Sequence, residues 1–223
     1  MSWRWQRELP QLALLLVMFA VSGIVWNDAP DALPVHWNLW GEVDRYGGKA
    51  EALLLLPAIG LIIYLLLLLA PRLSRTTEVR LGSGYTTARW AILILLAAIH
   101  GLLILPIYGV QVDMLRATML LVGALFLVLG RSMGSVQPNA IMGIRTPWTL
   151  TSRASWDASQ QLGGRLFVVA GGLFVLAGLF AVAWLTLLAL GFLMVGVVAL
   201  IWYGCRVWRD DPERLPPGQT LLS

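Results

Sequence analysis

The chain has 223 residues, of which 58% are hydrophobic and 13% charged, and its mean hydropathy is +0.76. A soluble domain of this length carries about a quarter charged residues, so a soluble fold is excluded, and the single Cys205 excludes an internal disulfide framework. The net charge of +4 does not mark a direct nucleic-acid binder, because the cations stand along the ends of apolar runs.

A helix needs roughly 20 mostly apolar residues to cross about 30 Å of hydrocarbon, since each residue advances it by about 1.5 Å. The first such run, Leu9 to Val25, follows Arg4 and Arg7 in the manner of a cleaved leader. Its apolar part is longer than a leader needs, and it reads as a retained span. Further runs cover Ala52 to Ala70, Ala91 to Tyr108 and Leu115 to Leu129. The last two, Leu166 to Trp184 and Leu187 to Val207, are nearly continuous, which predicts a tight turn near Trp184-Leu185-Thr186. Hydrocarbon offers backbone amides no partner, so each run must be helical. The fold class is therefore all-α, an integral membrane bundle of six transmembrane helices. Residues 1–130 form a four-helix region with an outer loop at 27–50, 131–165 a polar connection, and 166–209 a two-helix hairpin. Residues 210–223, with Pro212, Pro216 and Pro217, read as a disordered tail. No internal repeat or low-complexity tract stands out.

The cations orient this bundle. Arg4, Arg7, Arg72, Arg75, Arg80, Arg89, Arg131, Arg145, Arg153, Arg165, Arg206, Arg209 and Arg214 fall on one side, against Arg45, Lys49 and Arg116 on the other. The positive-inside rule makes the richer side cytoplasmic, and an even number of spans puts both termini there. The expected location is the bacterial cytoplasmic (inner) membrane.

Two polar stretches escape the span pattern. The outer loop reads Leu33-Pro34-Val35-His36-Trp37-Asn38-Leu39-Trp40-Gly41-Glu42-Val43-Asp44-Arg45-Tyr46-Gly47-Gly48-Lys49. Its turn formers predict a folded, kinked loop rather than a helix, and Trp37, Trp40 and Tyr46 suit headgroup depth. It is a plain cap on the bundle, a surface for a ligand or toxin, or a metal site in which His36 joins Asp28, Asp31, Glu42 or Asp44. The last lacks any diagnostic ligand spacing. The connection reads Gln137-Pro138-Asn139-Ala140-Ile141-Met142-Gly143-Ile144-Arg145-Thr146-Pro147-Trp148-Thr149-Leu150. Pro147 biases Thr146 to extended backbone and Gly143 permits a sharp bend, so Ile144, Arg145 and Trp148 are expected to project. Arg and Trp dominate binding hot spots, while the plainer alternative has Arg145 on lipid phosphate and Trp148 as an interface anchor. Thr151 or Ser152 would cap a short helix carrying Trp156 and ending at Gly163-Gly164.

Together these stretches resemble the SdpI family of bacterial immunity and signalling membrane proteins. His36, Asn38, Gly41, Asp44, Tyr46 and Lys49 fit the outer-loop motif of that family. Pro138, Asn139, Gly143, Ile144, Arg145, Thr146, Pro147, Trp148, Thr149 and Leu150 fit its cytoplasmic motif, with Trp156 at the usual later position. The chain departs at Gly130-Arg131, where the family often has Gly-Asn, and at Ser159-Gln160-Gln161, where it often has Thr-His-Arg. The resemblance implies immunity to, or sensing of, a secreted antimicrobial peptide outside, with relay to a repressor protein inside. The loop and motif residues would then be the two binding faces.

Other chemistry finds little footing. Gly130-Arg131-Ser132-Met133-Gly134 has the spacing of a nucleophile elbow, which needs a strand before it and a histidine within reach. Here a membrane span precedes it, and the two histidines, His36 and His100, lie far away in the topology. His100 is the ionisable residue deep in a span; a hydrogen bond to helix backbone or a hydroxyl accounts for it, as against a proton role. A small transporter or channel is the alternative class. No enzyme activity, cofactor or metal is expected. The partners read from the sequence are membrane lipid, the peptide and the repressor, with the oligomeric state left open.

Overall fold

The computed structural model describes residues 5–73, 78–216 and 219–222. Arg4 and Arg75 of the orientation argument, and Pro217 of the tail, lie outside them. Six helices are described: α1 (Trp5–Val25), α2 (Lys49–Leu73), α3 (Glu78–Ile104), α4 (Met114–Met133), α5 (Arg153–Phe180) and α6 (Ala183–Asp210). All six contain stretches long and apolar enough to cross a membrane, so the chain is an all-α, six-span membrane bundle. Between α1 and α2 the loop pairs Leu33–Trp37 (β1) with Val43–Gly47 (β2) as an antiparallel hairpin. The bundle thus has a hairpin face and, opposite it, a terminal face where α1 starts and α6 ends.

The helices form two groups in chain order. Within the first, Leu15 and Met18 of α1 bury against Tyr64 of α2 and Leu93 of α3. Nearer the hairpin, Val25, Ala29, Leu33, Ala52, Leu53 and Ile104 make a second core. Helix α2 contains Pro57 and Pro71, each of which removes the amide that a carbonyl four residues earlier would accept. The orphaned carbonyls are those of Leu53 and Leu67. Ser22 Oγ donates to the first at 2.6 Å, and Tyr85 Oη donates to the second. Helix α3 is broken at Gly82, whose φ of 65° lies in the left-handed region.

The second group is built on glycine. A Cβ on Gly130 of α4 would lie 2.7 Å from the Gly164 carbonyl oxygen of α5, and one on Gly164 as close to that of Gly130. Farther along, Gly123 and Gly171 meet in the same reciprocal way at 2.8 Å. Lipid tails are as apolar as leucine, so helices associate by close packing instead, and bare backbone allows the closest approach. Phe126 of α4 adds ring contacts with Phe167 and Phe174 of α5, at centroid distances of 5.0 and 5.6 Å.

Three expectations are corrected. The helix capped by Ser152 does not stop at Gly163-Gly164 but continues to Phe180, because these glycines serve packing against α4 and Ile144 rather than a left-handed cap. The turn between the last spans falls earlier than Trp184-Leu185-Thr186: Ala181 takes the left-handed cap at φ 53°, and α6 begins at Ala183. The tail read as disordered has described residues laid along the connection, with Leu215 N donating to Thr151 O at 2.7 Å and Leu221 N to Leu150 O at 2.8 Å.

Candidate functional site

The hairpin is stitched by the motif residues themselves. Asn38 Oδ1 accepts from Trp40 N at 2.9 Å and Glu42 N at 3.0 Å, closing the turn, while its amide donates to Glu42 Oε2 at 2.9 Å. Gly41 takes φ 81°, and its Cα faces Leu115 at the start of α4. His36 Nδ1 and Asp44 Oδ1 pair across the strands at 2.5 Å, in a largely exposed position. Lys49 Nζ donates to Trp26 O at 3.3 Å and stands 3.5 Å from Asp31, tying the hairpin base to the end of α1. Tyr46 and Trp40 remain outside, 61% and 73% exposed. His36 is engaged by one carboxylate, and among the described residues no three His, Cys, Asp or Glu side chains converge as a metal would need.

Beneath the hairpin lies a cavity of about 330 Å³. Val35, Trp37 and Leu39 of the hairpin region contribute to its lining, as do Leu55 and Leu56 of α2, Ile99 and Leu103 of α3, and Leu115 and Met119 of α4. Polar groups are few: His36, Asn38, Thr118 and the Arg45–Glu51 ion pair, closed at 2.6 Å. A small-ligand pocket has this form, mostly apolar with a few placed polar groups. Sequence reasoning found the hairpin residues but not the cavity, whose walls come from four separate segments.

On the terminal face the second motif folds as one hydrogen-bonded turn. Asn139, fully buried, accepts from Ile141 N at 2.8 Å and Met142 N at 2.7 Å through Oδ1. Gly143 adopts φ 100°, and a Cβ there would strike Gln160 Oε1 at 2.9 Å. The Gln160 amide clamps Ile144 on both sides, accepting from its N–H and donating to its carbonyl at 3.1 Å each. Thr149 Oγ1 accepts from Thr146 N at 2.8 Å and contacts Ile144 O at 3.0 Å. Trp156, fully buried on α5, donates from Nε1 to Val136 O at 2.8 Å. Ser152 caps α5 through Ser155 N at 2.9 Å and donates to Asp211 of the tail at 2.5 Å.

Only one of the three side chains expected to project does so. Arg145 is exposed and donates to its neighbour Ala140 O. Ile144 packs against Gly163, and Trp148 packs its indole edge against Gly204 of α6, because a glycine at each place leaves a hollow that an apolar side chain fills. Pro138 is buried beside Asn139, and Pro147 is exposed at the bend.

The first helix group holds two polar clusters, one not anticipated and one around His100 that meets the expected backbone and hydroxyl partners. Near the terminal face, Arg89 Nη2 of α3 meets Glu8 Oε2 of α1 at 2.5 Å, with side chains only 10% and 12% exposed. Tyr64 Oη of α2 donates to the same carboxylate at 3.0 Å. Toward the hairpin face, His100 Nε2 stands 2.9 Å from Ser22 Oγ and 3.1 Å from Leu53 O. Glu8 and Ser22 stand on one stripe of α1 at alternating three- and four-residue steps through Gln11, Leu15 and Met18, the signal that could have linked them.

Comparison with known proteins places these features. Residues 13–61, covering most of α1, the hairpin and the start of α2, match the model described as Domain of unknown function (DUF1648). Residues 135–204, covering the terminal-face turn, α5 and most of α6, match that of the SdpI/YfhL protein family. The chain is 22% identical over 193 residues to a protein of Bacillus subtilis (strain 168) named Immunity protein SdpI, an alignment covering 86% of this chain and 91% of that protein. No solved structure matches the chain. The turn organised by Asn139, Gln160 and Thr149 lies within the second match, so residues 135–204 are similar to the SdpI/YfhL protein family, and a segment similar to DUF1648 precedes them.

Proposed function

We propose that this membrane protein gives its cell immunity to a secreted antimicrobial peptide, or senses one, by recognition rather than catalysis. The observation that carries the reading is the apolar cavity of about 330 Å³ lined jointly by the hairpin and three membrane helices. An apolar peptide side chain entering from the bilayer surface would meet hydrocarbon walls there, with Asn38, Thr118 and the Arg45–Glu51 pair at hand for its backbone. The likeness to a protein named Immunity protein SdpI supports the same reading. In this proposal the hairpin face is extracellular and the terminal face cytoplasmic, as the arginine distribution favours. Arg145, exposed on the terminal-face turn, is the contact for a repressor inside.

Recognition is favoured over transport because the two buried polar clusters of α1–α3 do not join. Leu15, Met18 and Leu93 pack between Glu8 and Ser22, all of them buried, whereas a transporter places its polar site near the midplane. The test is to fill the cavity. Leu103→Trp, expressed in a peptide-sensitive bacterium, should reach the membrane at wild-type abundance and lose the protection that the wild type gives against membrane-active peptides. Equal protection by both would overturn the reading.

A further inference from the structure

A second site lies at the terminal face between α4 and α5, away from the motif residues. There a cavity of about 420 Å³ is lined by Arg131 from α4 and by Gln161 and Arg165, one turn apart, from α5. Gly130 and Gly164 contribute no side chains to it, because their backbones cross too closely for a Cβ. Both arginines are exposed, and no carboxylate lines the cavity. Arg131 spends one N–H on Leu127 O at 3.5 Å. Among the described residues neither arginine forms a salt bridge, unlike Arg153, which is held by Asp157 at 2.9 Å. A guanidinium carries five N–H donors in a rigid fork suited to phosphate, so nearly all of that capacity remains free.

The depth of the pair identifies the ligand. Arg131 follows directly on the apolar run of α4, and Arg165 directly precedes the apolar stretch that begins at Leu166 in α5. Both therefore stand where hydrocarbon gives way to headgroups, and Val168 and Val169 continue the cavity toward the hydrocarbon. We propose that this cavity binds the phosphodiester of an anionic phospholipid, with Arg131 and Arg165 gripping the phosphate from the two helices, Gln161 hydrogen-bonding the headgroup, and an acyl chain lying along Val168 and Val169. A free phosphate shares the charge chemistry but would leave the valine wall unused. The site is independent of the peptide-recognition reading.

Native mass spectrometry of the full chain, released from nanodiscs containing equal phosphatidylglycerol and phosphatidylcholine, tests this. The wild type should retain phosphatidylglycerol in preference to phosphatidylcholine, and excess inorganic phosphate should not displace it. Arg131→Gln with Arg165→Gln should weaken retention roughly tenfold or more, by loss of two charge-assisted forks. Arg209→Gln, an exposed arginine on the last turn of α6, should leave it unchanged. Equal retention of the two lipids by the wild type would overturn the proposal without recourse to any variant. So would equal phosphatidylglycerol retention by the double variant, and displacement by inorganic phosphate would make this a free-anion site instead.

Discussion

His100 on α3 supplies the hydrogen bond that Pro57 on α2 takes away. In an unbroken helix the Leu53 carbonyl would accept from the amide of residue 57, and proline has none. His100 Nε2 reaches that carbonyl at 3.1 Å, alongside Ser22 Oγ at 2.6 Å, so one proline dictates polar residues on two neighbouring helices. The buried histidine is thereby accounted for without a proton role.

This relation predicts a coupling. His100→Leu should cost about 0.6 kcal/mol, the average of such interhelical bonds in one membrane protein, and His100→Gln less, since it keeps a donor. In a Pro57→Ala background, where the helix amide returns, the cost of His100→Leu should shrink. Unfolding titrations of the four proteins in detergent form the cycle, and an undiminished cost would show that the shared carbonyl is not the link.

The Glu8–Arg89 pair is nearly shielded from solvent, so removing one partner strands a charge. Glu8→Ala is expected to destabilise the protein by about 3–5 kcal/mol, whereas replacing both residues by apolar ones of similar volume should recover most of the loss. Thermal unfolding of the single and double variants distinguishes these outcomes.

The glycine crossings predict a sharp positional contrast. Gly130→Ala or Gly164→Ala drives a methyl into facing backbone and should cost about 1–3 kcal/mol as overpacking. Gly172→Ala, on the same helix as Gly164 but with nothing within 4 Å of the added carbon, should be tolerated. Equal sensitivity at Gly164 and Gly172 would mean that helix propensity, rather than close approach, governs these positions.

Orientation is checked by labelling. With Cys205→Ser, single cysteines at Trp40 and Gln111 should react with an impermeant thiol reagent in intact cells, and those at Ser135 and Glu213 only after permeabilisation; all four positions are exposed. Reaction of Ser135→Cys from outside would invert the proposed topology.

At the terminal-face turn, Arg145 and Trp148 should part company. Arg145→Lys removes the planar fork and is expected to abolish signalling or protection at normal abundance if a shaped partner docks there. Trp148→Phe should be silent, because the indole Nε1 is buried without a hydrogen-bond partner among the described residues and its loss removes a desolvated donor. Reporter assays on both variants decide it, and a silent Arg145→Lys would reduce that arginine to a headgroup contact.

The six spans were legible in the sequence because membrane insertion is decided within each segment, by apolar length alone. Gly143 was visible as a bend for the same local reason, whereas Asn139 and Thr149 entered only through the family motif. The cavity was not legible, since Val35, Leu55, Leu103 and Met119 carry no mark of sharing a wall. Gly163 and Gly164 misled because glycine both ends helices and lets them touch, and only the partner helix decides between these uses. The Glu8–Arg89 pair, eighty-one positions apart, went unread, with Arg89 counted only as a boundary cation, because nothing in one dimension brings α1 beside α3.

The tip of the hairpin sits on Leu115, at one end of α4, and the far end of that helix is pinned by Gly130 to α5 within a turn of Gln160. Backbones locked that tightly cannot slide independently, so α4 and α5 behave as one stiff lever through the bilayer. On the proposed reading, pressure on the hairpin from a bound peptide would tilt this pair as a whole. Its far arm carries Gln160, the residue whose amide holds Ile144 in place, so on that reading the two motifs would be linked mechanically across the bundle.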